Sequence, residues 1–168
     1  MNVFGIAGYS GSGKTTLIEG VLPALAGRGL RTSVIKHTHH DFEIDRPGKD
    51  SWRFREAGAG EVLLASDQRY AVLHENRGEA PPGLEALLSR FADCDLVLVE
   101  GYKREVIPKL EVHRAGTNKP WLFPDDPHII AVATDLDPPG NIQIIDINNI
   151  EQVTDFIIKY AISRTTAC

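Results

Sequence analysis

The chain has 168 residues with 18 basic and 23 acidic side chains, and its formal net charge of −5 argues against a general binder of nucleic acid or of an anionic membrane surface. Its length suits one domain, residues 1–168, and its ordinary hydrophobic fraction of 42% excludes disordered and fibrous classes. Because no apolar run approaches the roughly 20 residues of a membrane span, no signal peptide precedes the first predicted strand, and Cys94 and Cys168 form no C-x-x-C pair, we expect a soluble cytoplasmic protein.

The first predicted elements are a strand over residues 3–7, a glycine-rich loop and a helix. The loop fits the phosphate-binding pattern G-x-x-x-x-G-K-[ST] from Gly8 to Thr15. Apolar residues at helical spacing follow it directly, as the pattern requires. The predicted nucleotide-binding residues of this segment are Gly8, Ser10, Gly11, Ser12, Gly13, Lys14, Thr15 and Thr16.

The residue types of this loop suit a phosphate chain. Glycines allow backbone N–H groups to approach phosphates closely, and the N-terminus of the following helix adds partial positive charge. Lys14 is expected to reach the β- and γ-phosphates, and the Thr15 hydroxyl is expected to bind Mg²⁺. The loop therefore predicts a nucleoside triphosphate with Mg²⁺, but it does not identify the base.

A second predicted strand, over residues 32–35, runs into the polar sequence Lys36–Asp41, which contains three histidines. Three roles are open for this sequence. Lys36 and His37 contact phosphate or substrate, the histidines bind Zn²⁺ or Ni²⁺, or the side chains are simply polar groups on an exposed strand. In an extended chain the third histidine faces away from the first two, which weakens a single three-histidine site. Asp41 and Asp45 are further candidates for the Mg²⁺ shell.

Strands and helices alternate along the rest of the chain. A short helix begins at Asp50 or Ser51, and strands over residues 61–66 and 70–74 form an antiparallel hairpin. The remaining predicted elements are a helix over 84–91, strands over 96–99, 110–113, 129–133 and 142–147, and a final amphipathic helix from Ile150. The pattern predicts an α/β fold of three layers, with a mostly parallel sheet and the hairpin added to it.

Glu100 ends the aliphatic strand over residues 96–99 and begins the sequence E-G-Y-K. Ligands bind at the carboxyl ends of strands in such sheets. Proteins with this phosphate-binding loop hold Mg²⁺ with an acidic residue on a neighbouring strand. We therefore predict that Glu100 binds Mg²⁺ together with Thr15 and activates a water nucleophile. The alternative is a polar residue that merely ends a core strand.

Asp135 is the candidate for recognition of the base. Asn118 and Lys119 begin a guanine-reading motif, but Pro120 follows and no aspartate stands at the expected place. Asp135 comes directly after a predicted buried strand and its Thr134, although it is also suited to cap the following turn. No glutamine suited to position water beside a γ-phosphate is recognisable, which favours slow hydrolysis.

Together these residues resemble the molybdopterin-guanine dinucleotide biosynthesis protein B (MobB) family. The match rests on the loop from Gly8 to Thr16, K-H-T-H-H-D from Lys36, D-R-P-G-K-D-S from Asp45, and V-E-G-Y-K around Glu100, in the order and approximate spacing of that family. The loop alone is shared with many NTPases, whereas the combination is more specific. The resemblance runs from residue 1 to about residue 135.

The resemblance implies a protein with the P-loop NTPase fold that binds GTP and assists the attachment of GMP to molybdopterin. It implies a MobA-like guanylyltransferase as partner, molybdopterin as ligand, a homodimer whose sheets associate, and weak GTP hydrolysis. Two other functions remain open from the residues. One is a GTP-dependent nickel or zinc metallochaperone that uses the histidines, and the other is a small-molecule kinase.

Overall fold

A computed structural model describes residues 1–38, 42 and 44–162. The chain forms two compact units, Met1–His37 with Ala86–Cys168 and Thr38–Glu85. The strands are β1 (Asn2–Ala7), β2 (Thr32–Lys36), β3 (Glu61–Ala65), β4 (Tyr70–His74), β5 (Leu96–Glu100), β6 (Lys109–His113), β7 (Ile129–Thr134) and β8 (Gln143–Asp146). The helices are α1 (Lys14–Gly27), α2 (Asp50–Glu56), α3 (Leu84–Leu88) and α4 (Ile150–Ile162).

The first unit is built on a six-stranded sheet in the order β2-β5-β1-β6-β7-β8. Every neighbouring pair is parallel, so the carboxyl ends of all six strands meet at one edge. All five residues of β5 are buried, which is why its sequence is a continuous aliphatic run rather than an alternating one. The polar residues that end or follow the strands therefore lie along this edge of the sheet.

One face of the sheet packs against α1 and α4. Alternate strand residues and the apolar stripe of each helix form this core, which includes Phe4, Ile6, Leu17, Val21, Leu25, Leu98, Leu110, Val112, Ala133, Ile145, Val153 and Ile157. The two helices approach closely at Gly20, where a Cβ would lie 2.9 Å from the Ile150 Cδ1. The core therefore fixes α1, and with it the loop that precedes α1, against β1.

The other face of the sheet carries a buried lysine, Lys109, on β6. Its side chain is 1% exposed, and its Nζ forms an ion pair with Asp126 at 2.6 Å. The same ammonium donates hydrogen bonds to the carbonyl oxygens of Lys103 and Glu105. A Cβ on Gly5 would overlap the Lys109 side chain, so β1 needs glycine where the lysine crosses it. Lys109 thereby holds the chain between β5 and β6 onto the sheet.

Two further polar residues of β6 bind the segment that follows this strand. Both oxygens of the Glu111 carboxylate accept hydrogen bonds, from the backbone N–H groups of Leu122 and Phe123, at 2.9 Å each. The His113 ring stacks on Trp121 with 3.9 Å between the ring centroids. Short turns, rather than a long helix, therefore cover this face of β6.

The second unit contains α2 and the hairpin of β3 and β4, which pair antiparallel as a separate two-stranded sheet. Arg55 connects three parts of this unit. It donates to both oxygens of Asp45 at 3.1 and 2.7 Å and to Glu75 at 2.5 Å. The hydrogen bonds from Arg55 lower the pKa of the Asp45 carboxyl below its ordinary value.

The structure confirms the α/β class, with a parallel sheet and an antiparallel hairpin. The hairpin differs from the prediction in one respect, since it forms its own sheet and does not extend the large one. α3 ends at Leu88 rather than near Phe91, because Arg90 and Phe91 donate to the carbonyl three residues earlier, as in a tight turn. Within the described residues, no helix has the length and apolarity needed to cross a bilayer.

Candidate nucleotide-binding site

The glycine-rich loop lies between β1 and α1, as the sequence predicts. Gly8 has φ 147°, and a Cβ there would lie 2.5 Å from the Val112 carbonyl oxygen and 2.7 Å from the Ser12 Oγ. Gly13 has φ 93° directly before α1. Both positions require glycine, because other residues strain at these angles and a side chain at Gly8 would overlap its neighbours. The loop is thus shaped by the absence of side chains.

Polar groups of the loop converge on Tyr9 and leave one hydroxyl unused. The carbonyl oxygen of Tyr9 accepts from the Lys14 Nζ at 2.7 Å and from the Ser12 N–H at 3.2 Å. The Ser12 Oγ is buried and, within the described part of the chain, has no hydrogen-bond partner. A buried hydroxyl without a partner is costly, so the loop contains a polar group that a phosphate oxygen or water would satisfy.

The pKa of Lys14 is lowered from its ordinary value of 10.5. The main cause is burial, which disfavours the ammonium. Glu100 opposes the shift, while the positive charges of Lys103 and Lys36 add to it. Three lysines therefore share one small region, and an anionic ligand would relieve their mutual repulsion.

Glu100, Thr15 and Lys36 form one cluster at the carboxyl edge of the sheet. Lys36 and Glu100 are paired in register on β2 and β5, and their charged groups lie 3.5 Å apart. The Thr15 Oγ1 lies 3.3 and 3.4 Å from the two Glu100 oxygens and 3.4 Å from the Lys36 Nζ. The sequence predicted these three residues for one site, and the structure brings them together.

The donor set of this cluster fits Mg²⁺. Mg²⁺ prefers oxygen ligands and keeps several waters, so a hydroxyl and a carboxylate with phosphate oxygens and water form a suitable shell. Glu100 is 8% exposed, so little of this residue faces solvent. Lys36 neutralises this carboxylate when no metal ion does.

His37 lies just beyond β2 and contacts the E-G-Y-K sequence. Its N–H donates to the Glu100 carbonyl at 2.9 Å, and its ring lies 4.6 Å from the Tyr102 ring centroid. Gly101 has φ 95° and Tyr102 has φ 45°. A Cβ on Gly101 would lie 3.0 Å from the His37 Cβ. The histidine therefore packs against the turn after Glu100.

Sequence reasoning missed Lys103, which lies at the loop. Its Nζ is 4.2 Å from the centroid of the Tyr9 ring, a cation–π contact. Lys109 fixes the backbone of this residue through its carbonyl oxygen. The signal that identifies Lys103 is its place three residues after Glu100, in a segment that leaves the same edge of the sheet.

Asp135 lies apart from the Thr15 cluster, among residues that follow β6, β7 and β8. One carboxylate oxygen accepts the Ala115 N–H at 3.1 Å, and the other lies 3.7 Å from the Arg114 guanidinium. Arg114 also lies 3.4 Å from the Asn148 Oδ1. Arg114 and Asn148 were not predicted as site residues, although both follow strands that end at this edge.

Several predicted residues have other surroundings or lie outside the described residues. Ser10 and Thr16 are exposed, and Asp45 is bound by Arg55 within the second unit. His39, His40 and Asp41 are outside the described residues. In the remainder of the chain, no group of three or more His, Cys, Asp or Glu side chains is arranged to hold a metal ion.

The fold and the loop together define the class of P-loop NTPases, in which a parallel strand leads through a glycine-rich loop into a helix. A crystal structure of molybdopterin-guanine biosynthesis protein B (mobB) is similar to this chain with a TM-score of 0.75 and 29% identity, over 94% of this chain and 98% of that one. A MobB homologue from Bacillus stearothermophilus has a TM-score of 0.69 and 25% identity, over 95% of this chain and 97% of that one.

The family follows from the sequence comparisons. The family model for molybdopterin guanine dinucleotide synthesis protein B matches residues 3–135. The molybdopterin-guanine dinucleotide biosynthesis adapter proteins of Haemophilus influenzae and Escherichia coli are 48% and 43% identical over 157 residues, which cover 92% of this chain and 86% and 90% of theirs. The chain belongs to the MobB family, and the resemblance seen in its motifs is confirmed.

A more distant match concerns a protein with another printed role. The urease accessory protein UreG of Mycolicibacterium gilvum is 34% identical over 101 residues, which cover 57% of this chain and 46% of that protein. This likeness covers a smaller share of both proteins than the matches to the Haemophilus influenzae and Escherichia coli adapter proteins do.

Proposed function

We propose that this protein is a Mg·GTP-binding adaptor in the biosynthesis of molybdopterin guanine dinucleotide. Its partners are molybdopterin and a MobA-like guanylyltransferase, and its location is the cytoplasm, where a free thiol such as Cys94 stays reduced. The observation that carries the proposal is the cluster of Thr15, Glu100 and Lys36 beside the glycine-rich loop, in a chain of the MobB family.

The phosphate end of the proposed site is the loop from Gly8 to Thr16. Loop N–H groups and Lys14 bind the phosphates, and the Lys14 Nζ exchanges the Tyr9 carbonyl for phosphate oxygens. Ser12 supplies its buried hydroxyl. Thr15 and Glu100 bind Mg²⁺, which supplies positive charge at the β- and γ-phosphates.

The proposed site extends to residues on both sides of the loop. Lys36, whose ammonium lies 3.5 Å from the Glu100 carboxylate, would bind a γ-phosphate oxygen. His37, which packs on Tyr102, contacts the pterin or its phosphate. Asp135 accepts hydrogen bonds from the guanine N–H groups, since it follows a strand that ends at the same edge as β1.

We assign slow GTP hydrolysis to Glu100, which holds a water near the γ-phosphate. In the nucleotide-bound state the same carboxylate would also hold Mg²⁺ together with Thr15. A carboxylate engaged in this way is not free to take a proton from water, so hydrolysis is slow until a partner rearranges the cluster. Slow hydrolysis prolongs the GTP-bound state, and this suits an adaptor protein better than rapid hydrolysis would.

We further propose that the protein is a homodimer joined through the hairpin of β3 and β4. On one face of this hairpin, Leu63, Tyr70 and Val72 are exposed by 63%, 73% and 47%. Leu63 and Val72 are direct cross-strand partners, and Tyr70 lies two residues from Val72 on that same face. An isolated two-stranded hairpin is only marginally stable, so pairing with a second copy would cover the apolar face and at least one open edge.

A co-purification experiment tests the adaptor function. The tagged protein is mixed with the guanylyltransferase, with and without Mg·GTP, and retention of the partner is measured. Because the guanylyltransferase needs a guanine nucleotide as the donor of GMP, formation of molybdopterin guanine dinucleotide is measured at one fixed Mg·GTP concentration, with and without this protein. We expect retention that depends on Mg·GTP and a faster guanylylation when this protein is present. Lys14→Ala serves as the site variant and Arg31→Ala, at the opposite edge of the sheet, as the control. If nucleotide does not change retention and this protein does not change the rate of guanylylation, the proposal is wrong.

A further inference from the structure

Arg114 is a charged residue at the loop that the proposed site does not yet use. It follows β6, the neighbour of β1, and so leaves the sheet at the edge where the loop begins. A Cβ on Gly13 would lie 3.3 Å from the Arg114 Nε and 3.8 Å from its Cδ. The guanidinium therefore lies directly against the last loop residue before α1, next to the helix N-terminus.

The guanidinium of Arg114 makes long polar contacts. Its nitrogens lie 3.4 Å from the Asn148 Oδ1 and 3.7 Å from the Asp135 carboxylate, longer than the 2.6 Å between Lys109 and Asp126. The Arg114 side chain is also 38% exposed. A guanidinium has five N–H donors and matches phosphate oxygens in pairs, so Arg114 retains donors for an anionic ligand.

The position of Arg114 identifies the part of the nucleotide that it meets. Lys36 and Glu100 lie on β2 and β5, on one side of the loop, whereas Arg114 and Asp135 follow β6 and β7, on the other side. If the γ-phosphate lies beside Lys36 and Glu100 and the base lies beside Asp135, the nucleotide crosses the loop from one side to the other. The part of the nucleotide beside Gly13 is then the part next to the ribose. The phosphate closest to the ribose is the α-phosphate.

We infer that Arg114 binds the α-phosphate of the nucleotide, and that this contact releases Asp135 for the base. The inference rests on the proposed GTP site. The phosphate replaces Asp135 as the anionic partner of Arg114, and the Asp135 oxygen that faces Arg114 becomes available to guanine N–H groups. The other oxygen remains bonded to the Ala115 N–H and keeps the carboxylate in place. Phosphate binding and base recognition are thereby coupled.

The test measures binding of guanosine, GMP, GDP and GTP with Mg²⁺ by calorimetry, with displacement titrations for the weak ligands. In Arg114→Ala we expect the affinity for GMP, GDP and GTP to fall by a similar factor of about tenfold, because the lost bonds are charge-assisted. The affinity for guanosine should rise rather than fall, because guanosine has no phosphate and Asp135 then has no guanidinium to leave. Arg114→Lys keeps the charge but not the fork, so its loss is smaller. Phosphorus NMR of bound GDP should show that the α-phosphorus resonance differs between Arg114→Ala and wild type, whereas the β-phosphorus resonance is nearly the same in both.

The matched control is Arg31→Ala, since Arg31 also pairs with a carboxylate, Asp95 at 3.6 Å, but at the amino edge of the sheet. It should leave every affinity unchanged. If wild type binds GTP and Lys14→Ala does not, but both Arg114 variants bind like wild type, the inference fails and the GTP site stands. If wild type binds no nucleotide, the proposed function fails first. An equal loss for guanosine, or a loss confined to GTP, also overturns the assignment to the α-phosphate.

Discussion

Lys14, Thr15, Lys36 and Glu100 show how single residues determine the chemistry of this site. Glu100 lies within 3.5 Å of both an ammonium and a hydroxyl, so the cluster is neutralised before any ligand binds. In the proposed site, Mg²⁺ would replace Lys36 at Glu100, and phosphate would replace the Tyr9 carbonyl at Lys14. Binding would therefore exchange internal contacts for contacts with the ligand, and its energetics would depend on protonation.

The lowered pKa of Lys14 predicts proton uptake when nucleotide binds. Burial lowers this pKa from 10.5, whereas phosphate favours the ammonium and raises it. In alkaline solution below pH 10.5, the free protein is therefore partly deprotonated at Lys14 and gains a proton on binding, so affinity falls as pH rises. Calorimetry in alkaline solution below pH 10.5, in about three buffers of different ionisation enthalpy, measures this uptake. Inorganic triphosphate serves as the ligand, so that no guanine proton contributes. A binding enthalpy that does not depend on the buffer would contradict the assignment of Lys14.

Glu100→Gln separates the roles of Mg²⁺ and of the loop. The amide keeps the size of the side chain but loses the charge that binds Mg²⁺, so GTP binding should become nearly independent of Mg²⁺ while Lys14 still binds phosphate. Slow hydrolysis should fall by about 100-fold or more if the carboxylate also activates water. Titration of Mg²⁺ against GTP affinity and a single-turnover assay check both results. Glu105→Gln is the control, and an unchanged Mg²⁺ dependence in Glu100→Gln would exclude Glu100 as a ligand.

At the level of elements, β6 explains why the turns beside the loop are fixed. Lys109 is buried on this strand and bonded to Asp126 and two carbonyl oxygens. Lys109→Ala should destabilise the protein by about 3–5 kcal/mol, because it leaves a carboxylate without its partner. The double variant Lys109→Met with Asp126→Leu should recover much of that loss. Urea unfolding measures both, with exposed Lys119→Ala as control. If Lys109→Ala lowers the free energy of unfolding by less than about 0.5 kcal/mol, as ordinary surface substitutions do, the buried ion pair does not stabilise the protein as predicted.

The second unit should lose stability in acid because of Asp45. Arg55 holds the pKa of this carboxyl below its ordinary 3.8. The stabilisation of the unit by the Asp45–Arg55 pair is therefore fully present above pH 3.8 and disappears as pH falls through the lowered pKa. Asp45→Asn should weaken the unit at neutral pH and remove that acid-dependent part. Fluorescence of Trp52, in a Trp121→Phe background, reports on this unit alone. If wild type and Asp45→Asn lose stability in parallel below pH 3.8, Asp45 is not the group that titrates.

The sequence predicted β1, the loop and β5 well because their signals are local. A glycine-rich pattern identifies Lys14, and an aliphatic run identifies the strand that ends at Glu100. β6 gave a weak signal because Lys109, Glu111 and His113 alternate with apolar residues, as on a solvent-facing strand. Their partners lie on turns as much as 17 residues away, between Lys109 and Asp126, and no local pattern reveals that. No local pattern indicates Arg114 for the same reason, since its position against Gly13 depends on β6 lying beside β1.

At the level of the whole molecule, the exposed apolar face of the hairpin predicts self-association. Leu63→Glu places a charge opposite Val72, so the proposed contact between copies would bury an unpaired carboxylate and the dimer should dissociate at least about tenfold more readily. Light scattering after gel filtration over a range of concentrations measures the mass. Ile144→Glu is the control, because Ile144 is also an apolar strand residue, 47% exposed, in the first unit. If the wild type is a monomer at every concentration, the protein is not a dimer. If Leu63→Glu is still a dimer, the hairpin is not the interface. GTP binding by the Leu63→Glu monomer would show that one copy holds the complete nucleotide site.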